Sequence, residues 1–354
     1  SRGLVGSEMC IRDRDYIDID LPESIITKNQ IMMLDILANN NWERPIYFTG
    51  GSYEEAEYIW MKDYLQLDGL VYKLVPIKTS IENNPYEMGR IDSDLMYDIV
   101  KKWSWGNSES DEIYHDPETR KNSISFRSNL SRLSEKLISE GEYEKAEEIL
   151  DLAFSKMPID YYGYYSLWTP LVKSYYDIGK SEKVKEIVQK LSFKYSDRLS
   201  YFSSLEIFNQ YDVGEEIISD IERFRNLIET IQESGEREIL ADQIKSFISS
   251  SEQFNYIYGE YDYYISLSNF LVSLLELNEV EYSMSVIDKI EEQLIRRVSV
   301  FSNIDEDEQV YYLEGITSDI NQYSRLINQI EVYDIDAYNK YDKNLKDMLA
   351  RMIE

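Results

Sequence analysis

One pattern constrains this 354-residue chain more than any other. Gly141, Tyr143, Ala146, Ala153 and Pro158 fall at offsets 0, 2, 5, 12 and 17, and Leu130, Leu133 and Leu137 precede them at helical spacing. Leucines stepping by three and four lie on one helix face. A glycine supplies a tight turn, small alanines let a second helix come close, and a proline ends that helix. The arrangement returns 38 residues later, where Trp168, Leu171 and Tyr175 stand 11, 8 and 4 residues before Gly179, as the three leucines stand before Gly141. Val184 and Leu191 then replace the two alanines. Consecutive helical hairpins are therefore predicted over residues 121–200.

These offsets resemble the second half of a tetratricopeptide repeat, with a spacing slightly above the usual repeat of about 34 residues. The resemblance implies an α-solenoid, a scaffold that commonly presents a surface to another polypeptide. Beyond Ser200 the consensus fades while helical periodicity persists. Ile217, Ile221, Phe224, Ile228 and Ile231 form one stripe, and Leu313, Ile316, Ile320, Tyr323, Ile327 and Ile330 form another. Such stripes bury against partner helices. With helices also expected near 235–251, 260–277, 281–302 and 335–353, residues 201–354 read as further helical hairpins.

Ahead of the hairpins the periodicity differs. Ile17, Ile19 and Leu21 alternate with Asp18 and Asp20, as in a half-exposed strand. Thr27 and Gln30 make a capping box for a helix with apolar Ile31, Leu34, Leu37 and Ala38, which Asn39-Asn40-Asn41 ends. Pro45–Thr49 reads as a short buried strand, Gly50-Gly51 as a turn, Tyr53–Leu67 as a helix and Leu70–Pro76 as a strand. The expectation is a small α/β module over 15–80. A connector follows over 81–120, with a loop at Thr79–Arg90 and one helix from about Ser93. The fold class is then mainly α: tetratricopeptide-like hairpins behind a small α/β module.

Composition limits the partners. With 37 basic against 67 acidic residues the net charge is −30, which repels nucleic-acid phosphates and anionic lipid, so neither is an expected partner. The longest uncharged apolar stretch, Tyr263–Leu275, falls short of the roughly 20 residues a membrane span needs. The 31 tyrosines exceed 11 Phe and 5 Trp, and tyrosine fills a core while its hydroxyl reaches the edge. Partly buried helix packing is the favoured reading of them, ahead of a sugar- or peptide-stacking surface.

Chemistry-bearing constellations are sparse. His115 is the sole histidine and sits in a polar connector, as a solvated loop residue would. No GxSxG, Walker A, HExxH or CxxC motif occurs. Neither Asp15, Asp18 and Asp20 nor Asp305-Glu306-Asp307-Glu308 supplies the ligand spacing of an EF-hand, and the second run suits a helix N-terminus. Gly50-Gly51 lacks a following cation to hold an anion. No catalytic, cofactor-binding or metal-ligating residue is assigned, and no cofactor is expected. The remaining candidates are Trp42, Arg44, Tyr47, Trp103 and Trp105, residue types favoured as binding anchors and also used to seal core edges. The residues expected to pack the repeats are Gly141, Tyr143, Ala146, Ala153, Pro158, Trp168 and Gly179.

Leu4–Asp13 resembles the translation of a transposon-based sequencing adapter, which would make residues 1–14, with the single Cys10, foreign to the natural chain and imply that the natural chain continues upstream of Asp15. The string Met33–Phe48, above all Asn41-Trp42-Glu43-Arg44-Pro45-Ile46-Tyr47-Phe48, followed by Tyr64–Pro76, Gly89–Asp92 and Trp105-Gly106-Asn107, resembles the C-terminal part of bacterial multi-pass membrane proteins of the protein O-mannosyltransferase-like family. That resemblance implies a periplasmic tail at the bacterial inner membrane, behind a membrane-embedded glycosyltransferase-like half that holds the catalytic acids. It implies a protein or peptide partner, an acceptor polypeptide or an assembly partner. A free-standing tetratricopeptide-like scaffold is the alternative, and a carbohydrate-binding module with a glycan partner is the third reading.

Overall fold

Asp116 and Pro117 start a long helix as the physical chemistry of helix ends requires. The Asp116 carboxylate accepts from the backbone N–H groups of Glu118 and Thr119 at 2.9 and 3.1 Å, and proline occupies the first turn, where no N–H is missed. The computed structural model describes residues 17, 19–20, 26–49, 59–79, 88–206, 210 and 212–353. Residues 1–14 with Cys10, the Gly50-Gly51 turn and most of the Thr79–Arg90 loop lie outside them. The protein is mainly α, with one small sheet near its start, and it divides at Lys180/Ser181 into two compact units.

In the first unit, helix α1 (Lys28–Asn39) carries the expected capping box: Gln30 N donates to Thr27 Oγ1 at 3.4 Å and Thr27 N to Gln30 Oε1 at 2.8 Å. Strands β1 (Tyr47–Thr49), β2 (Leu65–Asp68) and β3 (Val71–Leu74) form an antiparallel sheet in the order β1-β3-β2. Met61, Tyr64, Leu65, Leu74 and Met88 make the core, with Ile17, Ile19, Met33, Leu37, Ile46, Phe48 and Tyr72 around it.

Three local expectations change. Residues 65–68 are a strand and not the end of a helix, and a 3-10 turn, Ile59–Tyr64, leads into it. The two-residue turn at Gly69-Leu70, with Gly69 at φ 73°, lets β2 pair with β3 along its whole length, and this pairing prevails over a weak helical pattern. The start of the Tyr53–Leu67 segment lies outside the described residues. Ile17, Ile19 and Asp20 join no strand; the two isoleucines reach the core from irregular chain. Helix α1 turns Met33 and Leu37 inward and leaves Ile31 and Ala38 exposed.

Helix α2 (Ser93–Val100) buries Met96 and Val100. Helices α3 (Pro117–Ser139) and α4 (Tyr143–Lys156) form the first hairpin, with Leu130, Leu133, Leu137, Ala146, Ile149, Leu150 and Ala153 fully buried. Gly141 at φ 80° closes α3 in a Schellman turn, in which Glu142 N reaches Leu137 O at 2.9 Å and Gly141 N reaches Ile138 O at 3.0 Å. Pro158 follows the end of α4 and opens the short helix α5 (Ile159–Tyr162). A 3-10 turn, Tyr165–Trp168, leads to α6 (Thr169–Asp177). Gly179 ends α6 with the same pair of bonds, Lys180 N to Tyr175 O and Gly179 N to Tyr176 O, each 2.9 Å.

The second unit is entirely helical among the described residues: α7 (Ser181–Ser203), α8 (Gly214–Glu233), α9 (Leu240–Ser251), α10 (Asn255–Tyr258), α11 (Glu260–Ile265), α12 (Ser268–Glu276), α13 (Val280–Ser302), α14 (Glu306–Ile330) and α15 (Ile335–Ile353). A feature that escapes the sequence consensus recurs here. Asn278, at φ 66°, closes α12 as glycine closes α3 and α6, with Glu279 N on Leu274 O at 2.8 Å and Asn278 N on Leu275 O at 3.0 Å. Leu267, Phe270 and Leu274 stand 11, 8 and 4 residues before it, and buried Ser283 stands where Ala146 stands after Gly141. Asn tolerates the left-handed conformation and serine is nearly as small as alanine, so both substitutions keep the geometry while erasing the consensus. Tyr195 stacks on Phe224, and Phe224, Phe247 and Phe270 meet edge to face in turn across α7, α8, α9 and α12, with ring centroids 5.4, 5.4 and 5.7 Å apart.

Candidate functional site

The aromatic candidates separate into two groups. Trp42, at φ 59° after the helix-ending asparagines, is exposed, as are Arg44 and Tyr47. Trp103 and Trp105 lie after α2 and pack with Phe126 of α3, at centroid distances of 5.6 Å between the tryptophans, 5.2 Å from Trp103 to Phe126 and 5.7 Å from Trp105 to Phe126. Among the described residues, Trp42 and Tyr47 are not part of this cluster. Trp103 covers the β2–β3 turn: a Cβ built on Gly69 would meet its ring at 3.1 Å. Glycine at that position therefore serves both the positive φ and the close approach of the indole.

Two polar contacts tie the sheet module to α3. Asn129 Nδ2 donates to Gly69 O at 2.7 Å, and Arg132 donates to Gly89 O at 2.8 Å. Beneath them runs a short polar chain. Arg90 donates to Gln66 Oε1 at 2.6 Å, and Gln66 Nε2 donates to Asp68 Oδ1 at 2.8 Å. Gln66 and Asp68 are buried, and burial pushes the Asp68 carboxyl above its ordinary range against the opposing pull of Gln66, Lys73 and Arg90. The folded chain therefore holds this proton more tightly than the unfolded chain does. The associated stability is complete below the ordinary carboxyl value, about 4, and is lost as pH rises through the raised one. Asp68→Asn keeps an acceptor for Gln66 and removes the charge, so the variant is expected to show a higher urea midpoint than the natural chain at pH 7 and an equal one near pH 3 or about that value. Equal midpoints at both pH values would show that the carboxylate is not kept from water.

The first hairpin is built around a residue that the sequence pattern passed over. Arg127 lies on the inward stripe of α3, three residues before Leu130, and is completely buried. Its guanidinium donates to Gly163 O at 2.7 Å, to Ser123 Oγ at 2.8 Å and, at 3.4 Å, to Ser123 O and Tyr164 O. It also lies 5.0 Å from the Trp168 ring centroid, whose other stacking neighbour is Phe154 at 4.6 Å. Burial draws the Arg127 pKa down to about 10, so the cation persists at neutral pH. Carbonyl oxygens and a ring face do the work a carboxylate does elsewhere. The readable signal was a charged residue on a stripe otherwise made of leucine and serine.

Among the repeat residues, Ala146, Ala153 and Trp168 are buried, Gly141 and Gly179 adopt positive φ, and Pro158 follows α4. Tyr143, at the first position of α4, is half exposed. His115 Nε2 donates to Ser110 O at 3.0 Å and the ring stacks on Tyr161 at 5.4 Å, which fixes the connector. Among the described residues no group of three or more His, Cys, Asp or Glu is placed to hold a metal ion, and no helix is long and apolar enough to cross a membrane.

The module so welded to α3 is also the part of the chain with a known likeness. Residues 2–95 match the family model described as TMEM260-associated domain 2. The match takes in α1, the three strands and the start of α2, about a quarter of the chain. This portion is thus similar to a domain associated with membrane proteins. No curated protein and no solved structure matches the chain.

Proposed function

We propose that this chain is the non-catalytic, periplasmic part of a membrane glycosyltransferase-like protein, and that its helical hairpins bind the acceptor polypeptide or an assembly partner. The observation that carries this reading is the joining, within one unit, of a module like a membrane-protein-associated domain to the first hairpin through Trp103, Asn129 and Arg132. A hairpin held on that module moves with it. Tyr143 at the start of α4 and Tyr164 just beyond α5 are exposed and offer aromatic contact area at low entropic cost.

Two measurements test it. In-frame sequence upstream of Asp15 is expected to encode several apolar segments of about 20 residues, enough to span a bilayer. A start codon or signal peptide directly upstream would instead support a free-standing scaffold. In cells carrying the natural gene, a photo-crosslinking residue at position 143 or 164 is expected to capture glycosylated polypeptides or subunits of the same membrane assembly. Adducts to neither, at both positions, would refute the binding role of the hairpin.

A further inference from the structure

The end of the second unit where α13 finishes, α14 begins and α15 finishes carries an uncovered apolar turn that the rest of α14 does not lead one to expect. Ile316, Ile320, Tyr323, Ile327 and Ile330 are buried, as an amphipathic stripe should be. Leu313, the first residue of the same stripe, is 51% exposed, and the residues before it are more so: Val310 72%, Tyr311 84% and Tyr312 59%. Four successive residues, advancing 100° each, encircle the helix. An apolar turn that faces all directions belongs inside something.

At the end of α13, which Asn303–Asp305 joins to α14, α13 and α15 leave a cavity of about 380 Å³ lined by Ile295, Val298, Ser302, Asn344, Asp347 and Met348 among others, a size fit for a few inserted side chains. Charge narrows what can enter. From Val298 to Ser324 the chain has six acidic residues, Asp305, Glu306, Asp307, Glu308, Glu314 and Asp319, and no lysine or arginine. The nearest arginines upstream are engaged, Arg296 with Glu292 and Glu260, and Arg297 with Asp262 and Asp319. An anionic lipid surface, or a second copy of a chain of charge −30, would be repelled here.

We infer that this end of the α13–α14–α15 bundle is a docking site for a basic amphipathic helix of another polypeptide. The apolar face of that helix covers Val310, Tyr311, Tyr312 and Leu313 and fills the cavity, and its lysines or arginines meet Asp305, Asp307 and Glu308. The site is separate from the first hairpin and does not rest on the function proposed for it.

The probe is a labelled helical peptide of about 14 residues with leucine at i, i+3, i+4 spacing and lysine elsewhere, titrated into the full chain by fluorescence anisotropy. Saturable binding is expected, weakened about tenfold or more by Val310→Ser/Leu313→Ser and likewise by Asp305→Lys/Glu308→Lys. A peptide with the same lysines and serine in place of leucine is expected not to saturate. All substituted residues are exposed, and an unchanged circular dichroism spectrum shows that the variants fold. No binding, or equal binding by all variants, overturns the inference, because attraction to net charge alone would then explain the result. So would sedimentation showing self-association that Val310→Ser/Leu313→Ser abolishes, or binding to phosphatidylglycerol vesicles through the same residues. None of these readouts involves Tyr143, Tyr164 or the upstream gene, so this inference and the proposed function fail separately.

Discussion

Raising the pH past about 10 is expected to unfold residues 181–354 within one to two pH units, well before the backbone itself is chemically at risk. The cause is the tyrosine content. Tyr261, Tyr263, Tyr323 and Tyr341 are buried, and burial first, then neighbouring carboxylates at Asp319, Glu252, Glu291 and Asp288, push their phenols well above the ordinary value. Tyr258, less buried, is pushed up to about 12. Their hydroxyls are donors: Tyr323 to Glu291 at 2.9 Å, Tyr341 to Asp288 at 2.8 Å, and Tyr261 to the Asp319 carbonyl at 2.7 Å.

A phenol held neutral in the fold and free to ionise in the unfolded chain contributes stability that is complete below pH 10 and withdrawn above it. One pH unit above 10 withdraws about 1.4 kcal/mol for each such group. Four groups together approach about 6 kcal/mol, comparable with the whole stability of an ordinary domain. An alkaline titration should therefore show tyrosinate absorbance and loss of helical circular dichroism rising together. Tyr323→Phe/Tyr341→Phe should move that transition to higher pH. Full tyrosinate formation with the helical signal intact would show that these phenols are open to solvent.

Arg127→Ala is expected to be the most damaging single substitution in residues 1–180, at about 3–5 kcal/mol, the range for leaving buried polar groups unpaired and opening a large cavity. Gly163 O loses its donor at 2.7 Å, Tyr164 O loses a longer contact, and the Trp168 face loses its cation. Arg127→Lys keeps the charge without the planar fork and should fall between. Urea unfolding followed by the fluorescence of buried Trp168 reads the order directly. A midpoint for Arg127→Ala equal to that of the natural chain would mean that the guanidinium gives back no more than its own desolvation costs.

The buried tyrosines and Arg127 are legible in the sequence to different degrees. Tyrosine abundance was plain, and partial burial with the hydroxyl at an edge was its favoured reading; which phenols meet a carboxylate was not visible, because Tyr323 and Glu291 are 32 residues apart and meet only when α13 and α14 pack. Arg127 was passed over because the repeat offsets attend to leucine, glycine and alanine. Among the aromatic candidates, Trp103 gained a partner in Gly69 that no local spacing announces, while Trp42 and Tyr47 stayed in solvent. The β2 strand is hard to read because Leu65-Gln66-Leu67-Asp68 alternates over four residues only, a period-two window too short to stand out at the end of a stretch that also fits a helix, and because Gln66 and Asp68 are buried with Leu65 and Leu67.

By itself, the sequence determined the mainly helical class, the capping box at Thr27, the positive-φ turns at Gly141 and Gly179 and the buried stripes on α3, α4 and α8, because each depends on residues within a few turns of one another. Only the tertiary structure decided that asparagine at position 278 repeats the glycine turn, that Arg127 has carbonyls and an indole in place of an acid, and that α14 begins with an uncovered apolar turn. These depend on what packs against a residue from far along the chain, and the hairpin pattern that most constrains this sequence specifies the turn and the touching faces without specifying that neighbour.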